Sequence, residues 1–167
     1  MHSVRRALVE VQAEGTGLPP WAVELPGPCS NLEYEERMRA VCQRAVAEGI
    51  TAVVFGDPGA AIAGQRPRSW FPVWQIPTEQ LGGDMIAAGV KTKITCVDPS
   101  KLAKSFAGHE FDLGLLQALP LGIDRCRANG EFHTFVYDAP VFSRPIAVRT
   151  GEVVERDGFV FADFLPE

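Results

Sequence analysis

The stretch TAVVFGD, residues 51–57, constrains the fold more than any other part of this sequence. An uninterrupted apolar run that follows a helical pattern suits a strand of a parallel sheet, covered on both faces. The preceding segment, CSNLEYEERMRAVCQRAVAEG, supplies that helix. Ser30 with Glu33 three residues on has the form of a capping box. Met38, Val41, Cys42 and Ala45 make the buried stripe, and Gly49 can end the helix in a left-handed conformation. Gly56 and Asp57 then stand at the carboxyl end of the strand, where open α/β sheets place their ligands. Asp57 serves equally well to start a turn with Pro58.

Around this centre, Val4, Leu8 and Val11 predict an amphipathic helix from about Ser3 to Glu14, ended near Gly15–Gly17. WAVEL, at 21–25, is a short strand bounded by prolines. Residues 58–70 carry Gly, Ala and Pro without periodicity and are expected to form a loop. TEQLGGDMIAAG (78–89) is a helix interrupted by two glycines, and KTKITCVD (91–98) is the next strand. In EFDLGLLQALP (110–120), Phe111, Leu115 and Leu119 share a helical face. IAVRTGEVVERDGFVFADF (146–164) alternates like antiparallel hairpins, with Gly151 and Asp157–Gly158 as turn points. The expected architecture is an α/β layer followed by a small α+β tail.

The chain has 167 residues, 46% of them hydrophobic, enough for a real core. A net charge of −5 argues against a broad nucleic-acid surface, which needs clustered Lys and Arg. No apolar stretch is long enough to span a bilayer, and Arg5–Arg6 is not followed by a signal-like apolar block. Cys29, Cys42, Cys96 and Cys126 are widely spaced, which reads as reduced thiols of a cytoplasmic protein. A zinc site could in principle draw on these with His2, His109 and His133. Their spacing lacks ligand pairs, so buried small hydrophobes are the better reading and no metal site is expected.

The tail opens on ANGEFHTFVYDAP, residues 128–140, where polar side chains crowd against an apolar run. Asn129–Gly130 can form a turn. Strand alternation beyond it puts Glu131 and His133 on one face and Thr134 on the other. These groups either line a cleft facing Asp57 or form a turn and the polar face of a strand.

Several blocks together resemble the diphthamide synthase (diphthine–ammonia ligase) family of ATP-binding proteins. They are MHSVRRALVEVQAE, CSNLEYEERM, VVFGD, FPVW, CVDP and NGEFHTFVYDAPVF, in that order, and they cover nearly the whole chain except residues 58–70. The resemblance implies a Rossmann-like adenine nucleotide α-hydrolase fold with a C-terminal subdomain, divided here into residues 1–98 and 99–167. It implies ATP as cofactor, with Mg²⁺. The family chemistry activates a carboxyl group with ATP and lets ammonia displace AMP to leave an amide. By resemblance, Gly56 and Asp57 sit by the nucleotide, and Asn129, Gly130 and Thr134 line the acceptor side. Glu131 acts as base or ammonium-binding carboxylate, and His133 shuttles a proton near neutral pH. His133 resembles the bacterial branch, where the wider family carries a second acid.

Three departures stand out. The family's glycine-rich SGGKDS loop, which cradles phosphates, does not occur in these 167 residues. The family's CGENGE is CRANGE, with Arg127 and Ala128. Its charged stretch after FGD is replaced by residues 58–70. Met1 aligns with a methionine internal to the family pattern, which leaves WAVEL and TAVVF on either side of the missing centre of a sheet. The chain is then expected to be a fragment, to have closed the gap, or to have a partner fill it. A second copy covering exposed sheet edges would make a homo-oligomer. The expected partners are a nucleotide and a carboxylate substrate, with neither nucleic acid nor membrane. The alternative to impaired amide-forming chemistry is a non-catalytic relic or binding module.

Overall fold

A computed structural model describes residues 4–54, 68–126 and 129–167 of a mixed α/β protein. The chain forms two compact units, one of residues 21–76 and one that joins residues up to 20 with residues 77–167. The division read from the sequence, between 98 and 99, falls within the second of these.

In the 21–76 unit, helix α2 spans Asn31–Ala47. Its first turn is closed as its sequence predicts. Ser30 Oγ accepts the Glu33 N–H at 3.3 Å, and the Glu33 carboxylate accepts the Ser30 N–H at 3.1 Å. Such a cap contributes about 1 kcal/mol to helix stability. Gly49 follows the helix at φ 85°. Strand β1 (Ala52–Val54) pairs in parallel with β2 (Arg68–Trp70). β2 lies at the end of the segment expected to be a loop; residues 55–67 of that region are outside the described residues.

Three expectations for this unit change. WAVEL is not a strand, because α2 claims its groups: Arg37 donates to the Glu24 carbonyl at 2.7 Å, and the Arg44 guanidinium stacks 4.0 Å over the Trp21 ring. Nor is β1 covered on both faces, since the paired Val54 and Trp70 are 64% and 53% exposed. Of the stripe expected on α2, only Ala45 is buried; Met38, Val41 and Cys42 are half-buried.

The larger unit is built on a four-stranded sheet of order β4-β3-β6-β5, namely β3 (Lys91–Val97), β4 (Phe132–Asp138), β5 (Val148–Arg156) and β6 (Phe159–Pro166). β3 is antiparallel to both of its neighbours. Parallel pairing among the described strands is confined to β1 and β2. β5 and β6 form one hairpin through Asp157 (φ 53°) and Gly158 (φ 80°), both left-handed as a tight two-residue turn requires. Gly151 is not a turn. It lies inside β5 at a register shift between Thr150 and Val153, and a Cβ there would meet Asp163 at 3.4 Å. Such a bulge bends the strand without ending it.

Three helices pack on this unit. Helix α1 (Arg6–Thr16) starts later than expected, has no side-chain cap at Arg5, and ends at Gly17 with φ 70°. Its Leu8 is fully buried in the same core as Ile94, Phe132 and Phe135, and Gln12 donates to the Val136 carbonyl of edge strand β4. Helix α3 spans Thr78–Ala87 despite its two glycines. Helix α4 is cut to Leu113–Ala118, since Asp112 caps it by accepting the Leu115 N–H at 2.7 Å. Phe111, Leu115 and Leu119 are buried in one core, although Phe111 and Leu119 flank the helix and do not share a helical face with Leu115. No helix among the described residues is long and apolar enough to cross a membrane.

Candidate functional site

The polar motif of the tail lies where the start of β4 meets the end of β3. Its organising group is the Glu131 carboxylate, which is 2% exposed. Oε1 accepts the Asp124 N–H at 3.1 Å and the Asn129 Nδ2–H at 3.2 Å, while Oε2 accepts the Asn129 N–H at 3.2 Å. A carboxylate removed from water is tolerated when donors of this kind replace its hydration. The Glu131 carbonyl accepts the Asp98 N–H at 2.8 Å, which ties the turn after β3 to the motif. Gly130 has φ 71°, a left-handed conformation that glycine takes without steric cost.

Each neighbouring turn is held in its own way. Asp98 accepts the Ser100 N–H at 2.9 Å and its hydroxyl at 2.6 Å. Those bonds first, and Lys101 after them, hold the Asp98 carboxyl below its ordinary pKa. Asp124 accepts the Thr78 hydroxyl at 2.7 Å and the Cys126 N–H at 2.8 Å, which anchors the loop to the start of α3. Lys101 Nζ donates to the Asn129 carbonyl at 2.9 Å.

His133 is buried on β4 opposite Cys96, next to an irregularity in β3, and burial pushes the Cys96 thiol pKa up. Thr134 is half-buried opposite Ile94, and Asn129 is exposed. Asn129, Gly130, Glu131, His133 and Thr134 therefore occupy one turn and the strand that leaves it. Gly56 and Asp57 lie outside the described residues, and so does the expected facing of the motif toward Asp57. The same holds for Arg127 and Ala128.

Asp98, Lys101, Asp124 and Thr78 were not among the residues singled out in the sequence. Asp98-Pro-Ser has the form of a side-chain-bonded turn and could have been read as one. Nothing local marks Thr78 or Lys101, whose partners lie 46 and 28 residues away. No group of three or more His, Cys, Asp or Glu among the described residues could hold a metal ion, and none of the four cysteines forms a disulfide.

A four-stranded antiparallel sheet carries the buried-carboxylate turn, within the part of the chain that a known family model covers. The family model of the diphthamide synthase C-terminal domain matches residues 77–162, more than half of the chain, and the chain belongs to that family. It is similar to the diphthine–ammonia ligase of Rattus norvegicus, 32% identical over 95 residues that cover 54% of this chain and 36% of the relative. The Mus musculus diphthine–ammonia ligase is 34% identical over 97 residues, with the same shares. The matched part spans about a third of the length of these curated relatives.

Proposed function

We infer that this protein is a diphthamide synthase-like protein whose larger unit forms the acceptor side of an ATP-dependent, amide-forming site. The observation that carries the reading is the buried Glu131 carboxylate, which fixes the Asn129–Gly130 turn at the head of the strand bearing His133 and Thr134. Asn129, Gly130 and Thr134 line the acceptor side, and His133 moves a proton near neutral pH. Glu131 bears on the ligand chiefly through the turn, because protein N–H groups already occupy both of its oxygens. In this reading Gly56 and Asp57 stand by the nucleotide. Residues 21–76 then contribute to a Rossmann-like layer of the adenine nucleotide α-hydrolase type, with the β1–β2 parallel pair and the preceding α2 as support. Four widely spaced cysteines without a disulfide fit the reduced thiols of a cytoplasmic protein.

The helix that precedes β1 does not offer a triphosphate site. The N-terminus of α2 is closed by its own Ser30 and Glu33, so its first amides are not offered to an anion. No SGGKDS-type loop occurs in the 167 residues. ATP, with Mg²⁺, would be held by residues other than these.

A second reading has its own observation. The β1–β2 pair is two strands of three residues, and Ala45 is the buried apolar residue among the described part of its unit. Parallel sheets of this size do not stand uncovered. The unit therefore serves as a binding module that a further segment or a second copy completes.

Isothermal titration of the chain with ATP–Mg²⁺ tests the part of the first reading that assigns this chain the acceptor side and not the phosphate site. The expected dissociation constant is weaker than ~1 mM, about −4 kcal/mol of binding free energy. Micromolar affinity would show that these residues build a phosphate site after all.

A further inference from the structure

Lys101 stands just past the turn that ends β3, and its strongest partner is not its nearest acid. Its ammonium reaches the Asn129 carbonyl at 2.9 Å, whereas Asp98 Oδ2 lies at 3.5 Å and Asp98 is already served by Ser100. With the Lys101 side chain 44% exposed, an ion pair of that length contributes little. A charge-assisted bond to a carbonyl 28 residues away ties two turns together.

The Asn129 residue is thereby held at both ends of its backbone. Its N–H and its side-chain amide are bound by Glu131, and its carbonyl is bound by Lys101. With φ and ψ constrained from both sides, Gly130 is left in the left-handed conformation that starts the site. Among the described residues no salt bridge reaches Glu131. Lys101 is linked to it by way of Asn129, whose carbonyl accepts from the ammonium and whose N–H donates to the carboxylate.

We propose that Lys101 is a positioning residue, whose ammonium clamps the Asn129–Gly130 turn of the candidate site against the Asp98 turn. Its bearing on a ligand rests on the function proposed above, whereas the clamp itself is read without any ligand. Either outcome of the ATP titration leaves the clamp standing, and failure of the clamp leaves the titration result standing.

The test is nitrogen-15 NMR of the full chain carrying Lys101→Met, which keeps the stem and removes the charge, beside Lys101→Arg, which restores a donor. The expected result is that Lys101→Met shifts the Asn129, Gly130 and Glu131 amides and raises their microsecond-to-millisecond exchange broadening about threefold, with β5 and β6 amides unmoved. Lys101→Arg should bring those amides back toward their original positions. The proposal is overturned if the turn amides do not respond to Lys101→Met, or if Lys101→Arg disturbs them equally. A loss of signal dispersion throughout the sheet would also overturn it, because Lys101 would then act on global stability.

Discussion

Replacing Glu131 with alanine is expected to destabilise the sheet-bearing unit by about 3 kcal/mol, the cost of stranding several buried donors at once. The Asp124 N–H, the Asn129 N–H and the Asn129 side-chain amide all lose their acceptor. Asn129 is exposed, so part of that cost is recovered when its groups turn to water; the Asp124 N–H, in a half-buried loop, recovers less. Glu131→Gln should fall between alanine and the native protein. Its amide keeps one acceptor oxygen but points a second donor at an N–H. Urea unfolding followed through NMR peaks of β3 and β4 reads both variants. A loss below about 0.5 kcal/mol for the alanine variant would mean that the carboxylate is not what closes the turn.

The second large effect belongs to the other end of the chain. Leu8→Ala should cost about 3 kcal/mol, in the range measured for leucines truncated in a packed core. An isolated helix as short as α1, with 11 residues, is marginal in water, so α1 depends on the face it buries. Leu8 is that face, with Val4 and Val11 half-buried beside it. Loss of docking would also release the two-bond contact of Arg5 with Asp163, at 2.9 and 2.6 Å. That contact holds the Asp163 carboxyl below its usual pKa and raises that of the guanidinium. Leu18→Ala is the control, because Leu18 is 68% exposed and should change stability by less than about 0.5 kcal/mol. Equal effects at the two leucines would contradict the placement of α1 in this core.

Legibility in the sequence followed the range of the interactions. The capping box at Ser30 and the hairpin turn at Asp157–Gly158 rest on neighbours a few residues apart and stand as read; Phe111, Leu115 and Leu119 share the core, but only Leu115 lies on the helix expected to carry all three. WAVEL has strand chemistry, yet Arg37 and Arg44 of α2 take up its groups, a competition that no local pattern records. Gly151 was read as punctuation because a glycine in an alternating stretch marks either a turn or a bulge. Which of the two it is depends on the partner strand β6.

The site shows the same division. Asn129, Glu131 and His133 were legible as residue types, and the left-handed Gly130 follows from the Asn-Gly turn. What Glu131 does with its oxygens was not legible. One of its donors belongs to Asp124, which Thr78 in turn anchors to the start of α3. The resemblance offers Glu131 as a base or ammonium-binding carboxylate, whereas its burial comes from the assembly of the loop around it.

The central claim is that the candidate site is a turn locked into the sheet, while residues 21–76 are held by far less. Residue-resolved hydrogen exchange of the full chain tests this most directly. The predicted result is that the Asn129 and Asp124 amides, bonded to Glu131, and the Asp98 amide, bonded to its carbonyl, exchange nearly as slowly as Ile94. The Arg68 amide, bonded to the Thr51 carbonyl in the two-stranded pair, should exchange at least about 100-fold faster, as expected of a segment with little buried apolar surface. Loop-like exchange at Asn129 and Asp124, or protection at Arg68 equal to that of Ile94, would contradict the account.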